Sequence, residues 1–247
     1  MKKLQTISIL FMLFISSLAF IQCNDSDGNM GEEKKLSVEN YGKIHNEAVL
    51  ELINLNEKSK SNEDLIKTMS LLISEMNSDY FSNNSYDKIA KYFSSTATKN
   101  NKNTSFDFRL FYTEIKNDAI LQGVSEELIN FYDDMFNEFL SNENRTLVKS
   151  MDYYKSKLKN DKEIRSFEIF NSIYKNSKKL WTETAPKKYL LKNKSLRRGC
   201  DQDQQVILAD AIAGGILSLL TGPAGALGGG AASYLVREQQ IQSGGCI

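Results

Sequence analysis

Three cysteines and one histidine hold most of this chain's capacity for chemistry: Cys23, Cys200, Cys246 and His45. A thiol can be acylated, oxidised to a disulfide or bound to a metal, and an imidazole can move a proton or ligate one, so spacing has to decide. Cys23 follows a basic Met1-Lys2-Lys3 start and a run from Leu4 to Ile21 that is apolar apart from a few Gln, Ser and Thr residues. That is the layout of an export leader rather than of a folded element. Cys200 and Cys246 flank an apolar, glycine-rich stretch and meet if it folds back on itself. In an oxidising compartment they are expected to form a disulfide. The closed loop would contribute about 4 kcal/mol on the chain-entropy account. His45 invites an acid–base or metal reading with Glu47, but residues two apart on a helix point to different faces. Beside Ile44 and Ala48 it falls on an apolar stripe, so it is expected to be a core histidine with a polar partner. No catalytic residue, metal ligand or cofactor is assigned.

The stretch Phe20-Ile21-Gln22-Cys23 resembles the lipobox of bacterial lipoproteins, in which the cysteine becomes the lipidated first residue of the mature chain. Gln22 departs from the small residue of the strictest boxes, and such relaxed boxes are familiar in Bacteroidota and spirochaetes. The resemblance implies a signal peptide over 1–22 and a lipidated Cys23 heading a flexible tether over 23–36. Asn24-Asp25-Ser26-Asp27-Gly28-Asn29 and Gly31-Glu32-Glu33 have the composition of such a tether. Acidic residues behind the cysteine are also similar to the surface-export signals of Bacteroidota lipoproteins. The implied site is the bacterial cell envelope, with the chain anchored in a membrane, the outer membrane first, facing periplasm or surface. Each buried acyl methylene would add about 0.8 kcal/mol of membrane affinity. His45-Asn46-Glu47, just after the tether, resembles a segment near the start of uncharacterised Bacteroidota lipoproteins, some with glycine-rich C-terminal segments. That likeness supports the compartment and carries no mechanism.

What remains after the leader is long enough for one domain with a substantial core, alone or with an appendage. The 31 basic and 31 acidic residues balance, so nothing pulls the chain globally towards nucleic acid. Only two prolines occur, Pro186 and Pro223, and that scarcity suits long helices.

Helical periodicity runs through 37–184, which is expected to be a helical domain. Tyr41, Ile44, Ala48, Leu52 and Leu55 make one stripe; Leu65, Ile66, Met69, Leu72, Ile73, Met76 and Tyr80 make another behind a Ser61 cap. Ser125 opens a third, with Leu128, Tyr132, Met135, Phe136, Phe139 and Leu140 on one side. Leu147, Met151, Tyr154 and Leu158 follow, then Ile164, Phe167, Phe170, Tyr174 and Trp181, with Asp161 as the expected cap. The polar stretch 94–105 reads as a surface loop. Phe106 to Leu110 fits either a short strand or a helix through Phe108, Phe111, Tyr112 and Ile115, and with no partner strand in view the helix is favoured. Aromatic residues at helical spacing are assigned to the core.

A basic linker, 185–199, carries Lys187, Lys188, Lys192, Lys194, Arg197 and Arg198. Beyond it, 200–247 is expected to be a Gly-rich apolar helical hairpin. Between Val206 and Val236 the only charge is Asp210, and Gly222-Pro223 breaks the run near its middle. The predicted arms are Gln202 to Thr221 and Ala224 to about Gln240. Gly214, Ser218 and Gly222 are four apart on one arm, as are Gly225, Gly229 and Ser233 on the other, giving strips where backbones can approach closely. The pattern resembles glycine-zipper segments of bacterial envelope proteins and of some bacteriocin-like peptides.

The expected fold is all-α, an irregular multi-helix bundle with a C-terminal Gly-rich hairpin. The leading functional expectation is a non-enzymatic envelope lipoprotein that binds a protein or envelope component, with the hairpin serving packing, assembly, self-association or membrane contact. The alternatives are a toxin-like or bacteriocin-like effector that inserts the hairpin into membranes, and an enzyme with a carboxylate site in a cleft.

Overall fold

The computed structural model describes residues 36–56, 83–95, 97–100, 103–141, 148–190, 201–245 and 247. Cys23 with the leader and tether, the stripe behind Ser61, the linker from Leu191 onward, Cys200 and Cys246 lie outside the described residues.

Helix follows helix in the order α1 (Val38–Asn56), α2 (Asn83–Ser95), α3 (Phe108–Leu121), α4 (Glu126–Leu140), α5 (Val148–Lys157), α6 (Asp161–Lys179), α7 (Gln202–Thr221) and α8 (Ala224–Ser243). The all-α bundle is therefore the fold. One short antiparallel pair interrupts it, β1 (Ala97–Asn100) with β2 (Asn103–Phe106), in the register Ala97 to Phe106. It occupies the stretch expected to be a loop. Phe106 ends β2, Asp107 accepts hydrogen bonds from the amides of Arg109 and Leu110, and α3 starts at Phe108. The favoured helix is there, one residue beyond the strand whose partner local pattern did not reveal.

Local chemistry sets the other boundaries. Ser125 caps α4 through the Leu128 amide, and Glu163 of α6 holds Ser125 in turn, accepting from its amide at 2.7 Å and its hydroxyl at 2.8 Å. The cap of α6 is Asn160, whose side chain accepts from the Lys162 amide. Asp161 is instead the first helical residue, where its negative charge suits the helix N-terminus. A π turn, Leu180–Thr184, extends α6 and closes with the Ala185 amide on Leu180 oxygen at 2.9 Å.

Gly222 and Pro223 join α7 to α8, and Gly222 takes φ 68°, a left-handed conformation glycine adopts without a Cβ penalty. The hairpin lies at the centre of the unit Leu36–Ile247. Its arms pack chiefly on each other; α6 packs along α7, α1 bridges α6 and α8, and α3 and α4 close on α7. Every residue from Gln205 to Ser218 is buried, as expected for a helix apolar on all sides. The hairpin is thus the spine of the fold. Aromatic rings fill the layer outside it: Phe131, missed in the predicted stripe of α4, meets Phe167 at 4.8 Å and Phe170 at 4.9 Å between ring centres.

Candidate functional site

Asp210 sits in the middle of α7 with no exposed surface, where an unpaired carboxylate would be costly. Three elements answer it. From α1, His45 brings Nε2 to Asp210 Oδ1. From α6, the Ser177 hydroxyl donates to Oδ2, and from the π turn the Trp181 indole donates to the same oxygen at 2.7 Å. His45, Ser177 and Trp181 are themselves fully buried. Asn46 completes the set: its amide nitrogen donates to Asn176 oxygen at 3.1 Å, which turns its Oδ1 towards His45 Nδ1 at 3.0 Å.

A second cluster adjoins the first. Arg237 of α8 is fully buried, pairs with Asp203 of α7, donates to Gln240 Oε1 at 3.1 Å and lies 5.1 Å from the Trp181 ring centre. Asp210 and Asp201 are also near enough to act on its charge. Among the described residues its Nε has no hydrogen-bond partner. Gln240 passes the network on to Gln205 at 3.2 Å, and Gln205 donates to Phe139 oxygen at 2.9 Å and Ile247 oxygen at 3.1 Å.

The first cluster contains a serine, a histidine and an aspartate, yet the order is wrong for nucleophilic catalysis. A triad places the imidazole between hydroxyl and carboxylate so that it can take the serine proton. Here the carboxylate stands in the middle, the hydroxyl bonds to it, and the second imidazole nitrogen is spent on Asn46. The arrangement anchors α7 to α1 and α6. Glu47, exposed on α1, is not part of it. Among the described residues no group of three or more His, Cys, Asp or Glu side chains is placed to hold a metal ion.

The predicted packing strips are largely brought together. Gly225 lies against the backbone of Leu217 and Ser218, and a carbon added to Gly229 would stand 2.7 Å from Gly214 Cα and 3.0 Å from Asp210 oxygen. Ser233 is buried, donating to Gly230 oxygen at 3.1 Å, while the buried Ser218 hydroxyl has no partner among the described residues. Gly222 makes the turn and faces open space instead of the opposite arm. Gly215, Gly228 and Gly230 lie off the predicted strips. They admit the surrounding helices: Gly230, for example, is closely met by His45 oxygen and Val49 of α1.

Away from the hairpin, tyrosines bind carboxylates. Tyr92 donates to Asp118, and Tyr112 donates at 2.8 Å to Asp133, which Lys116 also grips at 2.6 and 2.7 Å. Burial first, then the partner carboxylate, pushes both hydroxyls well above the ordinary tyrosine value. Burial and its 2.5 Å bond to Asp134 push Tyr154 up to about 12.

Fold and site together define a helical bundle closed about a small-residue hairpin and held by a buried polar seam. Comparison with protein-family models, curated proteins and solved structures finds no match.

Proposed function

We propose that this chain is an envelope-anchored lipoprotein whose helical domain is a non-enzymatic binding or structural module. The observation that carries the non-enzymatic reading is the fate of its one histidine. His45, Asp210 and Ser177 have the chemical types of a reactive set, but they are fully buried and their polar atoms are spent on one another and on Asn46 and Trp181. The packing of the strips supports an internal role for the hairpin. Gly225 and Gly229 are covered by the opposite arm and Gly230 by α1, so these positions are taken up within one chain. The anchor reading rests on the leader and Cys23, and the partner it implies is a protein or component of the same envelope.

Metabolic labelling with a fatty acid tests the anchor: label on the wild-type chain, lost in Cys23→Ser, is expected. An unlabelled chain recovered with cytosolic contents would overturn it. Crosslinking in native envelopes with the anchor intact should then capture a stoichiometric envelope partner, unchanged by Ser177→Ala. Turnover of an envelope substrate that Ser177→Ala abolishes would overturn the non-enzymatic reading.

A further inference from the structure

We infer that the α7–α8 hairpin is a conditional membrane-inserting element, and that Asp210 is the latch that keeps it inside the bundle. This goes beyond the proposed binding role and stands whether or not Cys23 is acylated.

The arms are 20 residues each and share a two-residue turn, so each is about 30 Å long, the thickness of a bilayer's hydrocarbon core. Of the helices among the described residues, α7 alone is long and apolar enough to cross a bilayer. That property is common in core helices and decides nothing alone. What decides is where the polar groups of the hairpin find their partners.

Between the arms, contact is made by small residues: Gly229 on Gly214 and Gly225 on Ser218. Close backbone packing of this kind persists in lipid, where tails are as apolar as leucine and no longer drive helices together. Arg237 takes its carboxylate from Asp203 on the other arm and its amide from Gln240 on its own. The hairpin therefore carries that ion pair with it. Gln205 and Gln239 also donate outside the hairpin, to Phe139 and Phe106 oxygen, and Glu238 accepts from Tyr189, but all three stand towards its open end. Asp210 is different because it stands mid-arm. Its three partners, His45, Ser177 and Trp181, all belong to α1, α6 and the π turn, so a departing hairpin leaves every one behind. A bare aspartate at a helix centre costs about 3 kcal/mol on insertion, comparable to what the large aliphatic residues of α7 recover. Asp210 and its partners thus weigh on the balance between the two states from the middle of the arm.

The test uses the full chain with vesicles of phosphatidylethanolamine and phosphatidylglycerol, followed by proteinase K and mass analysis of protected peptides. Trp181, the only tryptophan, reports on the latch, because its indole loses Asp210 and Arg237 when the hairpin leaves. For Asp210→Asn, a protected peptide spanning both arms is expected at about ten times the wild-type yield, with red-shifted Trp181 emission. Equal yields from the two chains, or no protected peptide from a helical Asp210→Asn chain, would overturn the inference. Should Asp210→Asn fail to fold, His45→Gln and Ser177→Ala weaken the latch without altering the hairpin. Both must raise the yield, and the inference falls if either does not. Adding Gly229→Leu to any of these must abolish protection, since protection that survives a separated hairpin is mere adsorption.

Discussion

Gly229 of α8 rests on the backbone of Gly214 of α7, so closely that one added carbon would stand 2.7 Å from Gly214 Cα and 2.8 Å from its nitrogen. Those atoms belong to a helix backbone and cannot turn aside as a side chain would. Gly229→Leu is therefore expected to cost about 3 kcal/mol by forcing the arms apart. Gly123 is the control: it ends α3 at φ 79° with open space around it, so Gly123→Ala should cost about 1 kcal/mol in backbone strain alone. Urea midpoints with unchanged slopes would measure both. A Gly229→Leu chain as stable as wild type would mean that the arms are not in contact.

His45 and Asp210 are 165 positions apart in sequence and share a buried bond. Removing one partner leaves an atom of the other buried without its answer, Oδ1 of Asp210 or Nε2 of His45, so Asp210→Ala or His45→Ala should cost about 3–5 kcal/mol. Changing both to leucine should cost less than the sum of the two leucine singles by about 1–3 kcal/mol, because neither residue is then stranded. Strict additivity in that double-mutant cycle would show that the two side chains do not interact.

How far the sequence reveals this arrangement depends on how local each cause is. The hairpin is legible because its determinants are neighbours: Gly222-Pro223 stops α7, and glycines four apart mark the strip. Ser125 announces α4 in the same way. The pairing of His45 with Asp210 is not legible, although each half signals a need. Asp210 is the only charge in a long apolar run and His45 the only histidine, on an apolar stripe. One sequence does not say that the two needs meet. The β1–β2 pair is hidden for a similar reason, since polar residues such as Lys99, Asn100 and Thr104 give no alternation to read. Nor does anything local mark the π turn that carries Trp181 to Asp210.

The tyrosine–carboxylate bonds give the fold an alkaline limit. An unfolded tyrosine titrates near pH 10. Tyr154 is held up to about 12, and Tyr92 and Tyr112 well above the ordinary value, so the fold favours the protonated hydroxyl. Stability from these groups is fully present below about pH 10 and is lost as pH climbs through the raised folded values. Tyr92→Phe combined with Tyr112→Phe should lower stability at neutral pH and flatten its decline above pH 10. An alkaline unfolding curve of unchanged steepness would show that other groups set the limit.

Gln205 ties together the chain neighbours of two cysteines. Its amide nitrogen bonds to Asp201 oxygen at 3.0 Å, one residue after Cys200. Its side chain holds both backbone groups of Ile247, one residue after Cys246: the Ile247 amide donates to Gln205 Oε1 at 3.4 Å, and Gln205 Nε2 donates to Ile247 oxygen at 3.1 Å. A disulfide needs its two Cα atoms within roughly 7 Å. Gln205 thus fixes Asp201 and Ile247, while Cys200 and Cys246 lie outside the described residues and their bond stays the expectation drawn from their flanking positions. Peptide mapping of the exported chain without reduction, after blocking free thiols, should recover Cys200 and Cys246 in one linked species. Reduction should then lower stability by about 4 kcal/mol at most, because strain in the native bond subtracts from the loop-closure gain. Gln205→Ala should leave the linked species intact once formed but slow its recovery on reoxidation, since the side-chain bonds that hold Ile247 are gone. Both thiols found alkylated in the exported chain would exclude the bond.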